Sequence, residues 1–443
     1  MLKRIITIVF LLTVAGFAAS FLSKQPGVTV LEWLGWRIEA RTSVLMVIVI
    51  AVIILAITLD RIIGMIAGLP SRISGSLTDR RLRQGNQALA IGLVAASAGD
   101  GREALRQAKR AKRLMGEDPL THLLAAQAAT LTGDAKAASR YFEALSEDRQ
   151  TAFFGKAGLM RLEAERGDHD AALDAGREAF ALNNNTPSFA KALYALEARQ
   201  GHWDQALDAL AVAERDPSMD KATVSRGYAA LYYCQAQERA EKGGDDAAVI
   251  AVLKKALKHE SGLTPAVLDA AARYSQMGKA RQARQVLTTG FAQTPHPAIT
   301  KALFETLGGD AKALSTLIKQ SDQNGNPPDA LIEVAALAVT LDLWGEARRL
   351  LQLVAEDDRD LRYWQVYADF ADRAPPPPKG KNDAASPEDP DPKDQKPDRH
   401  HALTMAASAK RPKAWHCSSC HHHSETWEAH CSECGHFAAM IWR

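Results

Sequence analysis

The sequence predicts an all-α protein in three parts: two N-terminal transmembrane helices, an α-solenoid of short helical repeats, and a small C-terminal knuckle in which four cysteines close on a metal. Three observations carry this reading. Two long apolar runs lie between Ile5 and Met65, glycines recur at one fixed interval from Gly99 to Gly201, and two Cys-x-x-Cys pairs stand close together from Cys417 to Cys434. The chain has 443 residues, 47% hydrophobic but only 6% aromatic, which is too long for one ordinary core and points to helix rather than disorder.

The first apolar run is Ile5 to Leu22, behind Lys3 and Arg4, and the second is Val44 to Leu59, extending through Ile62, Ile63 and Met65. Each approaches the length that a helix needs to cross ~30 Å of hydrocarbon. Ala18-Ala19-Ser20 also offers a small-residue cleavage site, so the first run reads alternatively as a signal peptide. Topology is the same under both readings. Arg61, Arg72, Arg80, Arg81 and Arg83 follow the second run, and the positive-inside rule places them, and everything after them, in the cytoplasm. The net charge of +2 is unremarkable, yet Arg61 to Arg113 holds eleven Lys/Arg against three Asp/Glu. That local excess is either a topology signal on solvated helix faces or a contact with anionic lipid headgroups.

Between the runs, Val28-Thr29-Val30-Leu31 and Trp36-Arg37-Ile38-Glu39 read as a short hairpin on the outer side of the membrane. Trp33 and Trp36 suit interfacial anchoring, with partner binding as the alternative. Two spans enclosing Gln25-Pro26-Gly27 and Trp36-Arg37-Ile38-Glu39, followed by helical repeats, resemble the HemY N-terminal domain family of Gram-negative bacteria. The resemblance runs from the N-terminus to about position 150 and implies a role in late protohaem synthesis, with no catalytic residue to carry over.

Gly99, Gly133, Gly167 and Gly201 are evenly spaced, thirty-four apart, and each is followed five positions later by alanine: Ala104, Ala138, Ala172 and Ala206. Thirty-four is the tetratricopeptide (TPR) period. Glycine permits the turn between paired helices, and alanine lets the helices approach closely. A second alanine seven positions on, at Ala111, Ala179 and Ala213, shares that face. The pattern resumes with Gly243 and Ala248, Gly278 and Ala283, Gly308 and Ala313, and Asp342 and Ala347; spacings of 42, 35 and 30 there require altered helices or loops. Pro187, Pro217, Pro265 and Pro295 mark repeat junctions. Gly99-Asp100-Gly101-Arg102-Glu103-Ala104 matches G-x-G-x-x-A, but it repeats at the TPR period and follows a helical segment where a dinucleotide site needs a strand. This also counts against the flavin-dependent oxidase that shares the HemY name. His122, His169, His202 and His259 lack metal-ligand spacing and read as surface or turn residues, while Cys234 reads as a small core hydrophobe.

The segment 374–413 holds nine of nineteen prolines and reads as a disordered tether. After it, Cys417, Cys420, Cys431 and Cys434 form Cys-x2-Cys-x10-Cys-x2-Cys, which closes a tetrahedral site, with Trp415, Trp427, Phe437 and Trp442 as its small core. Cys417 to His421 also matches the Cys-x-x-Cys-His form of c-type haem attachment, but that chemistry belongs outside the cytoplasm and leaves the second pair unexplained. His416, His421, His422, His423, His430 and His436 are substitute ligands that four cysteines make unnecessary. The knuckle resembles the rubredoxin-type terminal domain of LapB proteins, matched at Cys417, Cys420, Cys431 and Cys434; that family implies an adaptor regulating lipopolysaccharide synthesis through an inner-membrane protease.

The expected division is 1–66 membrane anchor, 67–373 repeat array, 374–413 linker and 414–443 metal module. The expected function is a non-enzymatic scaffold in the cell inner membrane, multi-pass, linked by resemblance to haem synthesis. Its expected cofactor is one structural metal ion, zinc before iron. Its expected partners are proteins or peptides on the concave face of the array and the lipid bilayer, with no nucleic acid and no identified small-molecule substrate. The competing reading is a redox protein in which the same four sulfurs hold iron.

Overall fold

The computed structural model describes residues 13, 17, 20, 27–33, 36–67, 69–375 and 398–443. The first apolar run, Ile5 to Leu22, lies almost wholly outside these residues, as does the tether over 376–397. The chain divides into two compact units, 1–141 and 142–443.

In the first unit, strands β1 (Val28–Trp33) and β2 (Trp36–Arg41) pair antiparallel, in register from Val28↔Arg41 to Trp33↔Trp36, which bears out the expected hairpin. Thr42 closes its base by donating both N–H and Oγ1–H to Gly27 O, at 3.1 and 2.8 Å. The next helix, Thr42–Ala67, has 26 residues and contains the whole second apolar run. At about 1.5 Å per residue it is about 39 Å long. Val47, Ile48, Val52, Ile53, Leu55 and Leu59 stand exposed on it, on more than one face. Among the described residues no helix is long and apolar enough to cross a membrane; that finding leaves out the side chains of Ser43, Met46 and 60–78, which are not described. The helices Leu69–Ser97, Gly101–Met115 and Pro119–Leu131 pack through Ala88, Ala104, Ala108, Ala111, Leu124 and Ala128.

The second unit continues the helix pairs. Ala152–Arg166 pairs with His169–Leu182, Pro187–Arg199 with Trp203–Ala213, and Lys221–Glu241 with Asp246–His259. Thr264–Gln276 then pairs with Ala280–Gln293, Pro297–Thr306 with Ala311–Gln323, and Pro328–Thr340 with Trp344–Leu353. The turn within each pair is the one the glycine period predicts. Gly167 sits at φ +82°, its N–H bonds Ala164 O, and the N–H of Asp168 bonds Glu163 O, which satisfies two end carbonyls of the first helix. Asp168 then accepts the N–H of Ala171 at 3.1 Å and caps the second helix. Gly-Asp is therefore a two-residue joint, repeated at Gly99-Asp100 and Gly133-Asp134. Asp342, the expected replacement for glycine, does adopt φ +57°.

The alanine of each pair is where the spacing puts it: Ala104, Ala138, Ala172, Ala206, Ala283 and Ala347 are fully buried. Ala248 is the exception. Gly244 adds one residue before the capping Asp245, so the buried position passes to Val249. The longer interval between Gly201 and Gly243 also has a simple destination. The first helix of that pair, Lys221–Glu241, has 21 residues, whereas Pro187–Arg199 has 13.

The tether boundary moves. Residues Arg399–Ser408 form a helix capped by Asp398, with Ala402 fully buried in the cluster that holds Trp364 and Phe370. This stretch has no proline, and Ala402 and Ala406 share one helical face that seats on Leu361–Arg373. Leu361 N–H donates to Lys410 O, Lys410 Nζ to Asp357 O, and Lys413 Nζ reaches Asp329 Oδ2 at 2.5 Å. Residues 398–413 thus belong to the array, and the unstructured reading is confined to residues that are not described.

Candidate metal centre

The two Cys-x-x-Cys segments fold as two copies of one turn. In the first, His421 N–H donates to Cys417 O and Cys417 N–H to His422 O; in the second, Gly435 N–H donates to Cys431 O and Cys431 N–H to His436 O. Each turn needs a left-handed residue directly after its second cysteine, and His421 (φ +62°) and Gly435 (φ +68°) supply it. A three-stranded sheet, β4–β3–β5, joins the copies: β3 is Trp415–Cys417, β4 His423–Ser424 and β5 Met440–Trp442. The module is therefore small-sheet structure at the end of an otherwise helical array, and the all-α description holds for the array alone.

The turns bring the four sulfurs together. Cys417 Sγ lies 3.6 Å from Cys434 Sγ, Cys420 Sγ lies 3.6 Å from Cys431 Sγ, and all four fall within 4.8 Å of one another. A metal bonded to sulfur at about 2.3 Å in a tetrahedron sets sulfurs about 3.8 Å apart. The set fits. Burial raises the Cys417 thiol, but backbone N–H groups of Cys420 and Ser419 outweigh it and hold that thiol down to about 7. At Cys420 the His422 N–H pulls the other way from burial and the three neighbouring sulfurs, which together push the thiol up. Four crowded thiols cannot all ionise without a cation among them. A sulfur-only shell of this shape suits zinc or iron. Among the described residues it is the one converging group of three or more metal-type side chains.

Residues 27–133 match the family model described as HemY protein N-terminus. That region runs from the base of the hairpin to the turn glycine Gly133. The chain is also 23% identical over 447 residues to a protein of Magnetospirillum gryphiswaldense named probable magnetosome protein Mms48, covering 100% of this chain and 94% of that protein. Among solved structures it is similar to Naa15/Naa10 bound to HypK-THB (12% identity, TM-score 0.33), over 65% of this chain and 51% of that one. It is likewise similar to the TPR2AB domain of yeast Sti1 in a complex with pHSP90 (15% identity, 67% and 99% covered, TM-score 0.27). A thermophilic TPR protein of Thermus thermophilus matches at 21% identity, 42% and 99% covered, TM-score 0.21.

The module does not stand free, which sequence alone did not indicate. His430 Nε2 lies 3.1 Å from Ala198 O, and the Phe437 ring packs at 6.2 Å on Tyr194 and 6.0 Å on Trp203. Trp427 meets Tyr233 edge-on at 5.3 Å, and Trp442 lies 4.3 Å from His296. Burial, with the positive charge of Arg362 adding to it, pushes His296 down to about 4. These seats sit on or cap the first helices of three pairs, with Trp203 opening a second helix. No periodicity marks them, because each joins residues far apart along the chain.

The remaining expectations are placed as follows. Cys234 is largely buried, and burial pushes its thiol up to about 12, in keeping with a packing role. His259 stacks on Tyr228 at 4.7 Å, His122 packs edge-on to Tyr141, and His202 Nδ1 lies 3.0 Å from the fully buried Glu197. None joins the sulfur cluster. His421 of the Cys-x-x-Cys-His match is a turn residue by its φ, the counterpart of Gly435.

Proposed function

We propose that this chain is a non-enzymatic adaptor, anchored in the inner membrane, whose helical-repeat array binds other proteins and whose C-terminal module holds one structural metal, zinc before iron. The observation that carries this is the array itself. Its first helices carry aromatic seats at Tyr194 and Tyr233, and a solenoid surface of that kind recognises protein segments. The exposed apolar surface of Thr42–Ala67 and the arginines after it favour a span with the array on the cytoplasmic side. The HemY match favours tetrapyrrole synthesis as the setting, and the relative's name, a magnetosome protein, offers a second setting. The combination of repeats with a four-cysteine module keeps a LapB-like envelope adaptor as an alternative. Crosslinking in intact membranes followed by identification of captured proteins separates these: enzymes of haem synthesis support the first, and a membrane protease of lipopolysaccharide control would replace it. Reporter fusions after Arg83 and Trp442 should both read as cytoplasmic, and a periplasmic signal at either overturns the topology.

A further inference from the structure

We propose that the face of the array formed by the first helices of several pairs is a docking surface for protein segments bearing aromatic side chains, that residues 414–443 of this same chain are its resting occupant, and that metal at the four cysteines keeps them there. This rests on the reading of the cysteines as a metal site and deepens the adaptor reading.

Two sets of observations meet. First, the module and the lysine leading into it touch the array at four separated places: Tyr194 to Trp203, Tyr233, His296 and Asp329. So small a module, itself reaching three of the four, covers the face on which several pairs present their first helices. A partner using those seats must displace it. Second, the anchors depend on the metal turns, the strands that join them and a very small core. His430 directly precedes Cys431 and bridges Phe437, and that bridge is held by Cys431 N–H on His436 O. Trp415 and Trp442 face each other because Cys417 pairs with Met440 across β3 and β5. Trp427 and Trp442 are shared, packing on the module's own buried residues and on the array. The module's buried set is Trp415, Cys417, Cys431, Ala439 and Met440, too few to hold the segment 414–443 folded without metal. Metal loss therefore scatters the anchors, and by reciprocity docking must tighten the metal as much as metal tightens docking.

The test uses the full chain purified in detergent, with metal content measured and side-chain exposure read by hydroxyl-radical labelling. Stripping the metal with a chelator should raise labelling at Tyr194, Trp203 and Tyr233 several-fold, while Phe142 and Phe291, buried within helix pairs of the array, stay unchanged and report that the repeats are intact. A chain carrying Phe437→Ala keeps all four sulfurs and the module's own buried residues. It should show the same raised labelling at Tyr194 and Trp203 with metal still bound, and should bind that metal roughly tenfold more weakly in an equilibrium competition with chelator. If stripping leaves the three seats protected, or Phe437→Ala binds metal as tightly as the wild type, the coupling is refuted. If the wild-type chain holds no metal and takes up neither zinc nor iron(II), the underlying metal reading has failed instead, and the proposal falls with it.

Discussion

Replacing Gly167 with alanine isolates the backbone strain on which the whole repeat period depends. Gly167 sits at φ +82°, and a Cβ built there meets nothing within 4 Å, so the substitution adds no clash. Holding an L-residue in the left-handed region costs about 1–2 kcal/mol, offset by about 0.4–1 kcal/mol from the restricted unfolded chain. The net is a loss of about 1 kcal/mol, roughly fivefold in the local opening equilibrium. Gly155 in the preceding helix is the opposite case: its Cβ would lie 2.6 Å from Phe142 O and from Ser146 N, which are backbone atoms. There a gain in helix propensity of about 1 kcal/mol is set against overpacking of about 1–3 kcal/mol. Hydrogen exchange read over 152–182 in the full chain separates the two, because one global unfolding energy is ill-defined for a repeat array. Gly167→Ala should raise exchange about fivefold, and Gly167→Asn less, since asparagine tolerates this φ. Unchanged or slowed exchange in Gly167→Ala would refute the strained-turn account of the period.

Three further outcomes follow from named contacts. Arg177 donates to both oxygens of the fully buried Glu197 at 2.8 Å, but is itself partly exposed and leaves His202 facing that carboxylate, so Arg177→Met should lower the local stability of the neighbouring helix pairs by about 1–3 kcal/mol, read by hydrogen exchange over 169–213. His421→Gly puts glycine where its counterpart Gly435 already stands, so metal content should be retained and the module's resistance to chelator unchanged or improved; loss of metal would make His421 more than a turn residue. His296 is held neutral in the fold down to about pH 4, whereas in the unfolded chain it protonates near its ordinary 6.5, so its contribution is present above 6.5 and is lost as pH falls toward 4. A His296→Leu chain should show a shallower loss of stability across that window, and an identical slope would count against burial of the neutral ring.

Much of this architecture was legible because its determinants are local. A turn that requires φ above zero selects glycine, and a close helix pair selects alanine, so both recur at the repeat length. The Cys-x-x-Cys pairs are likewise short turns whose sulfur direction follows from four consecutive residues. The capping aspartates of the Gly-Asp joints were equally local, and their recurrence was there to be read. The shift from Ala248 to Val249 shows the limit of counting from glycine, since position is set by the cap and Gly244 delays it by one. The helix at Arg399–Ser408 was hidden by the prolines before it, which dominate composition over a long window. The seats for Phe437, Trp427 and Trp442 left no sequence signature, because what selects them is an opposing surface far along the chain. The HemY resemblance was likewise carried by the N-terminal hairpin and order of segments, and residues 27–133 are where the family match falls.

The most direct test of an array at the membrane with its own module seated on it is photo-crosslinking in isolated membranes from a photoreactive phenylalanine analogue placed at position 437. The Phe437 ring lies 6.2 Å from Tyr194 and 6.0 Å from Trp203, and carbodiimide coupling of Lys156 Nζ to Glu178 Oε2, 2.6 Å apart within one helix pair, serves as the internal control. Crosslinks from position 437 to the peptides holding Tyr194 and Trp203 are expected from the membrane fraction. Recovery of the Lys156–Glu178 crosslink without those from position 437, or of both from the soluble fraction alone, would contradict the seated module or its place at the membrane.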